Sequence, residues 1–291
     1  MAILYPHQDL EDYFVTVDCN APSEVRNVVQ LYEEGKVILL RGARIEFDRS
    51  FFDSVQFPND LKSLKKLKSQ RLIDESDAEK ISQKLLVSCF QGDEGRLRYF
   101  VEQVRSVNQQ IQAIASRLFA NYRFLNNSIT WRLAETLNEN LHVDVYGEDL
   151  PDHHLRLFLN LDSVYRIWHT SFSLEHMLGD YLHLLDPEFV RSATAGRICR
   201  ELNMAVFGGW ELAGRDGRPR HIGFFEPGEV WLVDSRKVSH QIFYGRRAVS
   251  TEFAVDNASM NDPSTHYYAI VERHRERFLS GFGKNSEAVV R

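Results

Sequence analysis

Inside the β-prone run Asn140–Tyr146 (NLHVDVY), His142 is followed two places later by Asp144. Side chains two apart on a strand share a face, so an imidazole and a carboxylate project into one space. With one further imidazole they would form a two-histidine, one-carboxylate triad, which grips Fe(II) on one side and leaves positions open for chemistry. His240, in the strand-like run Ser239–Phe243, is the candidate for the third ligand. In a jelly roll two such distant runs can lie on facing sheets with the metal between them. The chain has a second His-x-Asp, His7-Gln8-Asp9, but it follows Pro6 in a polar segment and reads as a solvated terminus. A lone pair of this kind is a weak signal, and its strand context decides.

An iron site of this type draws electrons from a co-substrate, for which 2-oxoglutarate is the common choice. It chelates through its keto-acid end, and its far carboxylate needs a cation. An arginine fork matches that carboxylate with two hydrogen bonds. Arg123, Arg132, Arg156, Arg166, Arg246 and Arg247 are the candidates. Arg156 and Arg166 sit in apolar runs (LRLFLNL and YRIW), where an unpaired charge is costly. Among the aromatic residues, Tyr146, Phe207, Trp210, Trp231 and Tyr244 are expected in a barrel core, whereas Trp168 is expected at the pocket. His153-His154 is expected in a turn, because adjacent side chains point apart.

These groups need elements to hold them. Phe14–Asp18 and Val37–Arg41 read as strands, and Glu24–Lys36 as a helix that stops at Gly35. Ser76 and Glu79 have capping-box spacing for a helix running to about Phe90. From Gly95 to Phe119 apolar residues recur at helical spacing, giving a long amphipathic helix that must pack on a sheet. Short β-rich runs follow at Ile129–Leu133, Leu141–Tyr146, Leu155–Leu161 and Val164–Trp168, with a turn at Gly147-Glu148-Asp149. Leu174–Leu185 and Pro187–Leu202 are expected as inserted helices. Strands resume at Asn203–Phe207, Gly223–Phe225, Glu229–Val233, Ser239–Phe243 and Ala248–Val255, with a turn at Arg215–Pro219. A helix from Ser264 to Phe278 closes the pattern. Helices followed by many short strands favour an α+β fold with a jelly-roll core, buttressed by N-terminal and inserted helices. The expectation is one domain over 1–291: helical support at 1–120, the catalytic core at 121–260, and a C-terminal helix and tail at 261–291.

Composition narrows the partners. A net charge of −6 argues against nucleic acid. The one basic stretch, Lys62–Arg71, reads first as a solvated face and second as a site for an anionic substrate or a peripheral contact with a membrane surface. The long amphipathic helices are candidates for a homo-oligomeric interface. Cys19, Cys89 and Cys199 show neither disulfide nor zinc spacing. No apolar run reaches membrane-spanning length and no signal peptide opens the chain, so a cytoplasmic location is expected.

The His-x-Asp pair, a distal His followed by Gly and Arg, and the Pro227-Gly228 turn before that His resemble the Fe(II)/2-oxoglutarate-dependent dioxygenase superfamily. Within it the chain is similar to the Kdo (3-deoxy-D-manno-oct-2-ulosonic acid) hydroxylases. Leu141-His-Val-Asp144, Leu155–Asn160, Arg166-Ile-Trp168, Pro227–Trp231 and Ser239-His240 carry the likeness, over about residues 120–255. The resemblance implies a double-stranded β-helix and iron ligands at His142, Asp144 and His240. It also implies co-substrate and active-site arginines at Arg156 and Arg166, with Arg123 a further match. The wider superfamily places a co-substrate arginine after the distal His, which here falls on Arg246 or Arg247, and both options stay open. The implied activity consumes O2 and 2-oxoglutarate, releases succinate and CO2, and hydroxylates a small-molecule or glycolipid substrate such as Kdo of lipopolysaccharide. Two rivals are the same chemistry on an amino acid, peptide or natural product, and a non-catalytic jelly-roll binding protein.

Overall fold

The computed structural model describes residues 2–58, 66–73, 78–137, 139–146, 152–208 and 217–287. Thirteen strands are found among them: β1 Ile3–Tyr5, β2 Phe14–Asp18, β3 Val37–Arg41, β4 Leu67–Lys68, β5 Ser128–Arg132, β6 Thr136–Leu137, β7 His153–Leu155, β8 Leu157–Asn160, β9 Arg166–Ser173, β10 His221–Phe225, β11 Val230–Leu232, β12 Val238–Gly245 and β13 Ala248–Val255. The principal helices are α1 Ala78–Ser88, α2 Glu94–Leu118, α3 Leu174–Tyr181, α4 Ala195–Phe207 and α5 Tyr267–Glu287. The result is an α+β arrangement with two sheets. The smaller has the order β1-β10-β9-β12-β6, and the larger β2-β3-β11-β8-β13-β5-β4, with β7 pairing β13. All strand pairings among the described residues are antiparallel except β2 with β3.

Strands β3, β8 and β11 at the centre of the larger sheet are buried on both faces, which explains why they read as nearly unbroken apolar runs. Ile38 and Leu40, Leu157 and Leu159, and Val230 and Leu232 face the N-terminal helices in one core. Their neighbours Val37, Leu39, Phe158 and Trp231 face the smaller sheet, meeting Trp168, Phe225, Val238 and Ile242 in a second core. Period-two alternation therefore sorts one apolar run into two cores. Phe158 stacks on Trp231 with ring centroids 5.5 Å apart, and Trp168 meets Phe158 edge-on at 4.8 Å. A third core joins α3, α4 and α5 to Leu141, Val143 and Phe172.

Long helix α2 is capped by Asp93, whose side chain accepts from Arg96 N. Its one buried polar group, Asn108, bridges Ser69 Oγ at 2.8 Å and Trp131 Nε1 at 3.0 Å, which ties the helix to β5. The Pro227-Gly228 turn forms as expected: Glu229 N donates to Glu226 O at 3.0 Å, and Gly228 takes φ +82°, open to glycine at low cost.

Several expectations are corrected. Asn203–Phe207 is helical rather than extended, because Thr194 caps a helix that buries Ile198, Cys199, Leu202, Asn203, Val206 and Phe207 on one face and ends at left-handed Gly208. His153-His154 is not a turn: both residues are buried in β7, paired with Ala254 and Val255. Glu24–Lys36 divides into two short helices, Pro22–Val25 and Val28–Glu33. The N-terminal strand β1 went unanticipated; it adds an edge to β10, and His7 N just beyond it bonds His221 Nδ1. Ser76, the Gly147-Glu148-Asp149 turn, Trp210, Arg215-Asp216 and Lys62–Lys65 of the basic stretch lie outside the described residues. No helix among the described residues is long and apolar enough to cross a membrane, and all three cysteines are free and buried.

Candidate metal centre

His142 and His240 come together by a different route from the one expected. They do not face each other across the two sheets; they are direct antiparallel neighbours, joined by His142 N to His240 O at 3.1 Å and His240 N to His142 O at 2.9 Å. This single bridge stands where a strand was expected. Beyond it the ladder breaks, because Val143 N turns to the Asn203 side chain and Asp144 N to Ser235 O. The segment stays extended enough for His142 and Asp144 to share a side. The imidazole centroids of His142 and His240 are 4.7 Å apart. His142 Nε2 lies 3.4 Å from Asp144 Oδ1, and one ligand atom from each of the three residues lies within 4.8 Å of the others.

The donor set suits a divalent cation. His142 Nδ1 lies 2.7 Å from Asn140 O, and His240 Nδ1 lies 3.2 Å from Val238 O. A carbonyl can only accept, so each Nδ1 carries the proton and each Nε2 offers a lone pair to the shared space. Burial pushes the His240 imidazole down to about 4, keeping it neutral. At Asp144 burial works against ionisation, but its close contact with His142 and the guanidinium charge of Arg156 hold the carboxyl well below its usual range. The same pair draws His142 upward against its own burial, so the site attracts positive charge.

The triad lines a cavity of about 190 Å³ at one end of the inter-sheet core. The smaller sheet contributes Arg166 and Trp168 from β9 and His240 and Ile242 from β12; the opposing sheet contributes Phe158 from β8 and Ala248 and Ser250 from β13. Arg156 joins from the break between β7 and β8, on the same side as Phe158 two residues on. Trp168 lies nearly flat on His240, with centroids 5.2 Å apart, and so backs the ligand ring.

Of the predicted arginines, two reach this space buried. Arg156 is 3% exposed; its Nη2 lies 3.7 Å from Asp144 Oδ2 and its Nη1 3.2 Å from Glu252 Oε1. Arg166 is 2% exposed, makes no ion pair with a described residue, and has no hydrogen-bond partner at Nε. Burial, with the charge of Arg132 beside it, pushes its guanidinium down to about 9. Gly245 lets it lie there: a Cβ at that position would stand 2.8 Å from Arg166 Cζ. Arg132, Lys66 and Glu139 complete the charged lining.

Other candidates are engaged elsewhere. Arg247 pairs with Asp53 at 2.9 Å and lies over Phe57. Arg246 forms a fork on Asp162, and Arg123 pairs with Asp256 on the surface. None of these three lines the cavity. Sequence reasoning overlooked Glu139 and Phe158, weighed Lys66 only as part of the basic stretch, and placed Tyr146 in the core although it lines the cavity. Its continuation of the His142, Asp144 alternation was the available signal.

No family model and no curated protein sequence matches this chain. Solved structures do. The Kdo hydroxylase KdoO, a non-heme Fe(II) alpha-ketoglutarate-dependent dioxygenase, in complex with alpha-ketoglutarate and Fe(III), superposes with a TM-score of 0.62 at 15% identity, covering 89% of this chain and 95% of that one. Its complex with succinate and Fe(III) gives 0.61 at 15% identity, and that with cobalt(II) gives 0.62 at 15%, each covering 90% of this chain and 95% of the other. At this identity the likeness carries the fold.

Proposed function

We propose that this chain is an Fe(II)- and 2-oxoglutarate-dependent dioxygenase on a double-stranded β-helix, hydroxylating an unactivated C–H bond. The observation behind this reading is the convergence of His142, Asp144 and His240 beside a buried arginine with no ion-pair partner among the described residues. His142, Asp144 and His240 would hold the iron through Nε2, a carboxylate oxygen and Nε2. When bound, iron and 2-oxoglutarate together supply an O2-consuming oxidation that yields succinate and CO2.

The protein's own residues then have separable tasks. Arg166 binds the far carboxylate of 2-oxoglutarate, which supplies the anion its buried guanidinium lacks. Arg156, close to Asp144, balances negative charge at the metal end. Trp168, Phe158 and Ile242 exclude water and limit the space around the reacting carbon. For the substrate, a sugar acid of the Kdo type is the preferred class. The neighbouring structures are named as Kdo hydroxylases, and Lys66 and Arg132 add cationic groups suited to an acid.

Anaerobic titration with Fe(II) and then 2-oxoglutarate tests the centre, with a weak visible charge-transfer band as the expected signal. Succinate release on admitting O2, compared across Kdo-lipid A and a panel of small acids, tests the substrate. Asp144→Ala should abolish both; full activity in that variant would reject Asp144 as a ligand.

A further inference from the structure

We infer that Tyr146 is a positioning residue: its phenol occupies Asp144 Oδ2 so that the carboxylate presents a single oxygen, Oδ1, to the metal. This rests on the metal centre proposed above and goes further, because it assigns the coordination mode of the carboxylate to one hydroxyl.

His142, Asp144 and Tyr146 follow one another at spacing two, so the extended segment aims all three toward the cavity. Asp144 divides its two oxygens. Oδ1 faces His142 Nε2 at 3.4 Å, while Oδ2 accepts from Tyr146 Oη. The phenol is itself held in place. Its ring lies 4.9 Å from the His154 ring, Arg156 Cζ sits 5.3 Å from its centroid, and Ser235 Oγ is 3.3 Å from the hydroxyl. Ser235 also accepts Asp144 N through its carbonyl at 2.8 Å, so one residue steadies both members of the pair.

The consequence follows from carboxylate chemistry. A carboxylate with both oxygens free can bind a hard cation through either one or both. Bidentate binding would take a second coordination position that the co-substrate or O2 needs. With Oδ2 committed to a phenol, one position is used and three stay open on a six-coordinate ion. Without the hydroxyl, the partner left to Oδ2 among the described residues is Arg156 Nη2 at 3.7 Å, beyond hydrogen-bond range. Partners that orient a metal ligand in this way are typically worth about 10- to 100-fold in metal affinity.

The test uses the full chain, cobalt(II) as the probe, and Tyr146→Phe, which removes the hydroxyl but keeps the ring against Arg156 and His154. The readouts are the cobalt dissociation constant and the visible ligand-field spectrum, neither of which requires turnover. The expected result is a 10- to 100-fold weaker constant with an altered band shape. If Tyr146→Phe is too unstable to titrate directly, the cobalt concentration that refolds it reports the same constant by linkage. Wild-type cobalt binding with a Tyr146→Phe constant within about twofold and a superimposable spectrum would overturn the inference alone. A wild-type chain that takes up no cobalt would overturn the metal centre and this inference with it.

Discussion

Replacing Arg166 with Met should make the empty protein more stable and blind to 2-oxoglutarate. Its guanidinium is 2% exposed, makes no ion pair with a described residue, and is pushed down from above 12 to about 9 by burial and by Arg132. At about 1.4 kcal/mol per pH unit this is about 5 kcal/mol of unfavourable charge burial, an upper bound. At the effective dielectric of real protein sites about 1–3 kcal/mol is a fairer figure. Methionine fills similar space without charge. For a chain of this length about 1 kcal/mol moves the melting temperature by about 2 °C, so apo Arg166→Met should melt about 2–6 °C higher. Losing one partner of a buried charge pair costs about 2–5 kcal/mol of binding, so 2-oxoglutarate should bind at least about 30-fold more weakly. Differential scanning fluorimetry with and without 2-oxoglutarate, beside the anaerobic titration, measures both. A variant that melts lower and still binds the co-substrate normally would show that Arg166 is structural and would refute the assignment.

Three further outcomes are expected. Gly245→Ala places a methyl about where the Arg166 guanidinium lies; it should cost about 1–3 kcal/mol of stability and weaken 2-oxoglutarate binding, and unchanged binding would free Gly245 of this role. Arg247→Ala, which breaks the Asp53 pair at 2.9 Å, should lose about 1 kcal/mol of stability and leave co-substrate affinity intact; a lost charge-transfer band would move the anchor to Arg247. Burial pushes His153 well below 6.5, and burial with the charge of Arg236 pushes His154 to about 3 and His266 to about 4. The unfolded chain therefore binds protons near pH 6.5 that the folded chain refuses. The stability of these neutral rings is fully present above that pH and falls below it, by up to about 4 kcal/mol per pH unit for the three. Urea unfolding at pH 7.5, 6 and 5 measures this, and a flat midpoint would contradict it.

Much of this protein is legible in its residues because the relevant rules are local. The strands Phe14–Asp18, Val37–Arg41 and Ala248–Val255 and the helix ending near Phe119 follow from alternation or helical spacing over a few residues. The same period of two put His142 and Asp144 on one side, and would have added Tyr146. Local pattern failed where burial from another element decided the outcome. Asn203–Phe207 has residues that suit a strand, yet its apolar face is claimed by α3 and α5. His153-His154 resembles a polar turn, yet pairing with β13 buries it.

His142, Asp144 and His240 as a candidate ligand set, and the arginines as candidate anion partners, were properties of residue type and spacing. Their arrangement belongs to the tertiary structure. Only strand pairing makes His240 the direct neighbour of His142 instead of its counterpart on a facing sheet. Only the folded surroundings separate Arg247, neutralised by Asp53, from Arg166, left buried without an ion partner among the described residues. Side-chain chemistry travels with the residue, whereas desolvation and pairing depend on which distant segments the fold brings against it.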